Sequence, residues 1–415
     1  MYQKSTLTNG LRLVTEESPH FHAAALGVWL EVGSRDEEAA ENGLTHFLEH
    51  MAFKGTPKRC ALTIAREIDQ MGGSGNAFTS KEHTCFHGKV LAEQLPRLVD
   101  LLSDLVLNPL YHSEELEKER QVILEEIWAQ EDNPEDQVQV LFARRFWGDH
   151  PFGRPILGEA GQISRFRRDH LLAYREATYR PEQTVVAAAG RLKHQELLEA
   201  LESSFQDFRN GCPPRTRRPA ATHPGVHAFP RDLEQVHLCL GTRGPAAGDP
   251  KRYTATLLQL ILGGNMSSRL FQVVREQLGL TYSIYSFLSF FSDTGLLGVS
   301  AGVSPKNLEP LLAATFKELK KMKVEKILDA ELTAAQEYLK GSIYLAAEDC
   351  EHRMMRLAKN ELHFGHYIPL EEIIAGLLRV TAKDIQELAQ ELCRPQHWAL
   401  TLLGPVTDLK FSLDF

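Results

Sequence analysis

Leu26, Val28, Leu30 and Val32 alternate with Gly27, Trp29 and Glu31, the period-two spacing of a half-buried strand. Ahead of it, Asn9-Gly10 is a strong hairpin signal, and strands are predicted on both sides of that turn, the second through Leu11 and Leu13. The spacing then lengthens. Leu44, Phe47, Leu48 and Met51 form one apolar stripe of a helix predicted to take Asn42 as its N-cap and to stop near Gly55. A second helix is predicted over 65–71, ended by Gly72-Gly73, followed by one strand over 76–90. Helical spacing returns over 113–130, with further helices over 137–146 and 168–174, a buried strand over 184–189 and a helix over 194–205.

Strands and helices mixed without a strict strand–helix–strand repeat predict an α+β fold. A length of 415 residues suits two domains of about 200 residues each. Residues 210–219 hold three prolines and three arginines without apolar periodicity, so domains are expected at 1–210 and 221–415 with a linker at 211–220. The second half resembles the first: Val236 to Gly241 matches the strand ending at Gly33, and a helix over 253–262 stands where His46 to His50 stood. An internal duplication explains this. The second helix reads Thr256-Leu257-Leu258-Gln259-Leu260-Ile261-Leu262 and offers no metal ligand, so one half alone is expected to carry a site.

Charge and cysteine usage narrow the function. A formal net charge of -9 provides no general basic surface, so nucleic acid is not an expected partner. The six cysteines lack close pairing, which fits neither a metal knuckle nor a disulfide framework and points to a reducing compartment. The N-terminal residues lack the apolar core of a secretory signal, and no stretch approaches about 20 apolar residues. A cytoplasmic protein with no membrane partner is expected.

The candidate chemistry lies on the first predicted helix. Residues four apart share a helix face, so His46 and His50 can direct two imidazoles at one metal ion, with Glu49 beside them. This is the zinc-clamp pattern His-Glu-x-x-His read in reverse. The bland alternative is a pair of ordinary helix histidines, but His46, Glu49 and His50 gather opposite the apolar stripe. A catalytic zinc needs a third protein ligand and an open position. The helix over 113–130 is the best source: Leu116, Ile123 and Ile127 mark its buried face, Glu119 and Glu126 lie along one flank of that face, and Glu125 points away. A carboxylate near a core needs a partner, which singles out Glu119 and Glu126. Periodicity alone leaves Glu119 as either a carboxylate orienting a histidine or half of an ion pair.

The segment Gly43 to Thr56, containing His46-Phe47-Leu48-Glu49-His50, resembles the pitrilysin/insulinase family, and within it the β-type subunit of mitochondrial processing peptidase and its bacterial relatives. The likeness continues through 75–84, 119–126 and 266–271, and so spans the chain. It implies zinc (Zn2+) held by His46, His50 and a glutamate 76 residues beyond the second histidine, which falls on Glu126, with Glu119 in support. It further implies Glu49 as the base, Arg275 and Tyr282 of the second half as groups that hold the substrate carbonyl, and Asn76 and Ala77 on an edge strand that binds peptide by strand addition.

The resemblance also implies two similar sheet-and-helix domains in a clamshell and a homodimer enclosing a chamber that admits unfolded peptides or presequence-like segments. The long glycine-rich loop of the non-catalytic processing subunit is missing, since Gly263-Gly264-Asn265 is too short. A catalytic zinc endopeptidase is therefore expected. The rivals are a silent assembly subunit, which would commonly have lost part of the His46, Glu49, His50 and Glu126 set, and a catalytic subunit that works only beside an inactive partner chain.

Overall fold

In a computed structural model, which describes residues 1–209, 214–406 and 413, the chain forms two compact units. The first comprises Met1–Trp128, Arg154–Arg218 and Tyr344–Ile368; the second comprises Ala129–Gly153, Pro219–Ile343 and Pro369–Phe415. A single cut in the sequence at 211–220 therefore leaves two exchanged segments, and residues 211–213 of that expected linker lie outside the described residues.

The first unit is built on a six-stranded sheet of β1 (Tyr2–Thr6), β2 (Arg12–Glu17), β3 (Ala23–Leu30), β4 (Ser74–Thr79), β5 (Thr84–Leu91) and β6 (Thr184–Gly190). Its order is β1-β2-β6-β3-β5-β4, with β2 and β6 parallel and the other pairs antiparallel. The Asn9-Gly10 turn forms as expected, with Gly10 at φ 93. The expected strand over 76–90 is instead a hairpin, β4 and β5, because the chain reverses where the Ser80 amide and hydroxyl both donate to the His83 carbonyl.

Pleating sends Ala24, Leu26, Val28 and Leu30 of β3 to one face of the sheet, into a core shared with α1 (Leu44–Ala52), α2 (Ala61–Gln70), α3 (Leu95–Leu107) and the buried side of α4 (Ser113–Asp132). The alternate residues Ala25 and Trp29 face Met354, Leu357 and Ala358 of a helix over Cys350–Phe364. The strand read as half-buried is thus buried on both faces, since a segment more than 300 residues away in sequence returns to cover it. Ion pairs fix that helix to the sheet: Arg353 and Arg356 meet Glu16, Lys4 and Arg12 meet Glu361, and Lys89 meets Asp349.

The second unit holds a five-stranded sheet of β7 (Gly225–Pro230), β8 (Val236–Gly244), β9 (Ser283–Phe290), β10 (Gly295–Val303) and β11 (Ala399–Gly404), in the order β7-β11-β8-β10-β9. Leaving β1 aside, both sheets place their strands, ranked along the sequence, first, fifth, second, fourth and third, with the first and fifth parallel. This identity of topology is the structural trace of the duplication. Here too one face is covered from afar: Val138, Phe142 and Phe146 of the helix Pro134–Trp147 pack on Cys239, Ala399 and Leu403.

Candidate metal centre

α1 is nine residues long and too short to hold its own shape in water, so its position depends on what grips it. Phe47, Leu48 and Met51 are fully buried against the first core. Its N-terminus departs from the expectation. Gly43, at φ 98, occupies the cap position, where a Cβ would meet Gly158 and Leu157 backbone atoms at 2.9 Å, and Asn42 is displaced outward. The cap comes from Glu37, 2 % exposed, whose carboxylate accepts from the amides of Gly43 (2.9 Å) and Thr45 (2.8 Å) and from Asn42 Nδ2 (3.0 Å). Negative charge there also complements the helix dipole. Sequence reading passed over Glu37 because the chain leaves the helix axis between the two, and no capping motif spans that detour.

His46 and His50 lie on the face of α1 opposite the core stripe, with Nε2 atoms 3.1 Å apart. That face is only partly open to solvent. His46 is 6 % exposed, and burial pushes its imidazole down to about 3, which keeps the ring neutral and a lone pair available. Glu126 Oε2, arriving from α4, stands 3.7 Å from His46 Nε2 and 3.6 Å from His50 Nε2. Among the described residues these three form the one group of His, Cys, Asp or Glu gathered closely enough to hold a metal. A tetrahedral zinc bound at about 2.0–2.2 Å separates its ligand atoms by roughly 3.3–3.6 Å, close to the 3.1, 3.6 and 3.7 Å found here, and two imidazoles with a carboxylate suit zinc chemically. Burial is not what marks Glu126, contrary to the helical-wheel argument: its side chain is 45 % exposed.

Glu119 is the buried carboxylate of α4. Its Oε1 lies 2.8 Å from His50 Nδ1 and its Oε2 lies 2.5 Å from Lys54 Nζ. Burial works against its charge, but the bonds from His50 and Lys54 outweigh that cost and hold its carboxyl below the ordinary range. An ionised Glu119 accepts from His50 Nδ1–H, which turns the Nε2 lone pair toward His46 and Glu126. Glu119 thus touches both a histidine and a lysine, the contacts that each of the two readings left open by periodicity requires.

Glu49 projects beside the cluster and accepts a 2.5 Å hydrogen bond from Thr79 Oγ1 at the end of β4. Burial raises its pKa, reinforced by the Glu126 charge and opposed by Thr79 and His50. Asn76 and Ala77 lie on the same strand, which is the sheet edge, and Asn76 Oδ1 accepts from the Ala77 amide.

Arg275 and Tyr282 belong to the second unit, where the Arg275 guanidinium sits over the rings of Phe271 (4.5 Å) and Tyr282 (4.7 Å). Tyr282 is 83 % exposed, and the pair borders a cavity of about 300 Å³ with Met266 and Tyr285. The helix of this unit that follows β8, as α1 follows β3, carries no ligand residue over Arg252–Gln259.

Comparison with known proteins gives two family matches along the chain. Residues 12–160 match Insulinase (Peptidase family M16), and residues 165–339 match Peptidase M16 inactive domain. An uncharacterized zinc protease of Mycobacterium tuberculosis is 41% identical over 412 residues, covering 97% of this chain and 93% of the relative. The uncharacterized zinc protease YmxG of Bacillus subtilis is 37% identical over 405 residues, covering 98% of each. A protease from Helicobacter pylori has the same fold, with a TM-score of 0.90 at 22% identity over 98% of this chain and 99% of that one. Kinship with proteins so named brings zinc as the cofactor. The chain belongs to the insulinase family of peptidases, family M16.

Proposed function

We propose that this chain is a zinc endopeptidase in which His46, His50 and Glu126 hold the metal and Glu49 is the base. The convergence of those three donors, with Glu49 one residue from His50, carries the reading. Zinc bound there supplies a Lewis acid that lowers the pKa of a water toward about 7. Glu49 takes a proton from the attacking water and passes it to the leaving amine.

An extended substrate adds to the free edge of β4 at Asn76 and Ala77, and backbone pairing makes binding largely independent of sequence. The Asn76 side chain holds the Ala77 amide until a substrate carbonyl replaces it. Arg275 and Tyr282 steady the substrate carbonyl and the charge that develops on it. Such pairing requires an unfolded strand, so the substrates are flexible peptides or presequence-like segments, taken into the closed chamber of a homodimer. The five described cysteines are all free thiols, four of them buried, which supports a reducing, cytoplasmic setting. No helix among the described residues is long and apolar enough to cross a membrane.

The test is zinc content by elemental analysis beside cleavage of a quenched fluorescent peptide, for wild type, chelator-treated protein and Glu49→Gln. One zinc per chain, with turnover lost in a variant that keeps its zinc, is the expected result. Folded protein without zinc or cleavage would indicate a silent subunit. Activity that emerges only with a second polypeptide, read by size-exclusion chromatography with the same assay, would indicate a heteromer.

A further inference from the structure

We infer that Thr79 is a positioning residue for Glu49, tying the base to the strand on which the substrate lies; this rests on the peptidase reading above. Thr79 is the last residue of β4. Strand alternation puts its side chain on the face shared by Ala77, which packs against the first core, so the hydroxyl points toward α1 rather than outward. A carboxylate can only accept, so the 2.5 Å contact runs from Thr79 Oγ1–H to Glu49 Oε2.

Among the described residues it is the one hydrogen bond to the Glu49 side chain. A glutamate side chain has three torsions, and this bond fixes its far end. Fixing Oε2 leaves Oε1 as the oxygen available to take the proton. The donor itself is held firmly, because the turn after β4 is closed by the Ser80 amide and hydroxyl on the His83 carbonyl.

The consequence lies in registration. β4 is the sheet edge, so a peptide that pairs with it is positioned by the same backbone that carries Thr79. Scissile carbonyl and base are then referred to one strand, which couples the position of the base to that of the substrate. A hydrogen bond to a charged group that acts this way is worth about a ten- to hundredfold rate effect.

The experiment compares Thr79→Val, which keeps the shape and loses the hydroxyl, with Thr79→Ser, which keeps the hydroxyl, in zinc-loaded full-length protein. With a quenched fluorescent peptide, Thr79→Val should retain zinc and KM while kcat falls by about ten- to hundredfold, and Thr79→Ser should recover most of it. In crystal structures the Glu49 carboxylate should occupy one conformer in wild type and Thr79→Ser and several in Thr79→Val. Unchanged kcat in Thr79→Val, equal impairment of both variants, or a single unaltered Glu49 conformer in Thr79→Val would overturn the inference. A wild type that holds zinc and cleaves nothing would count against the peptidase reading, and the crystallographic comparison would still decide the role of Thr79.

Discussion

Replacing Glu37 by Ala should loosen α1 from its N-terminal end. The Glu37 carboxylate satisfies two first-turn amides, those of Gly43 and Thr45, in a site that is 2 % exposed. Each buried N–H left without a partner costs about 1–3 kcal/mol, so two cost about 2–6 kcal/mol. Part of that is offset, because the carboxylate is itself held at a cost: burial pushes its pKa up to about 7 despite the donors from Asn42, Thr45 and Gly43. The net loss therefore belongs near the lower end, about 2–3 kcal/mol, comparable with the strongest single-cap effects. With a urea dependence of about 3 kcal/mol per molar for a unit of this size, the unfolding midpoint should fall by about 1 M. His46 is the second residue after Leu44 in α1, so fraying should displace it before His50, and zinc should be released more readily to a competing chelator. A midpoint shift under about 0.3 M together with unaltered zinc retention would refute the reasoning.

Glu119→Gln should weaken zinc binding by about ten- to hundredfold, measured by chelator competition, since the amide cannot hold His50 as an ionised partner does. Met354→Ala, at a fully buried position on the far face of the first sheet, should cost about 2–5 kcal/mol in urea unfolding; a loss below about 1 kcal/mol would show that the helix over 350–364 contributes little to that unit. Asp349 caps that helix. Burial raises its pKa, but the bonds from Lys89 and the amides of His352 and Glu351 bring it down to about 2. Because the folded value lies below the unfolded one near 3.8, the stabilisation is present above that pH and lost as pH falls toward 2. Asp349→Asn should flatten the pH dependence of unfolding in that window, and an unchanged slope would exclude the pairing as its source.

The amino-acid sequence by itself determined the elements whose signals are local. The Asn9-Gly10 turn, the helix over 194–205 and the duplicated plan follow from turn chemistry and periodicity within short windows. So does the clustering of His46, Glu49 and His50, because a helix puts residues three and four apart on one face whatever surrounds it. The repeated strand order of the two sheets was legible as similarity between the halves, though not as an order.

Only the tertiary structure decided what depends on distant segments. β3 reads as half-buried until the helix over 350–364 covers its other face, and burial is a property of the neighbour that arrives. Glu126 is exposed and no wheel distinguishes it from other exposed glutamates; the family resemblance marked it by its spacing from His50, but that its carboxylate stands beside both histidines is a contact between α4 and α1. Glu37 as a cap, Lys54 as the counterion of Glu119 and Thr79 as the donor to Glu49 are contacts between elements. Periodicity fixes where a side chain points on its own element, whereas the partner it meets is set by packing over the whole unit.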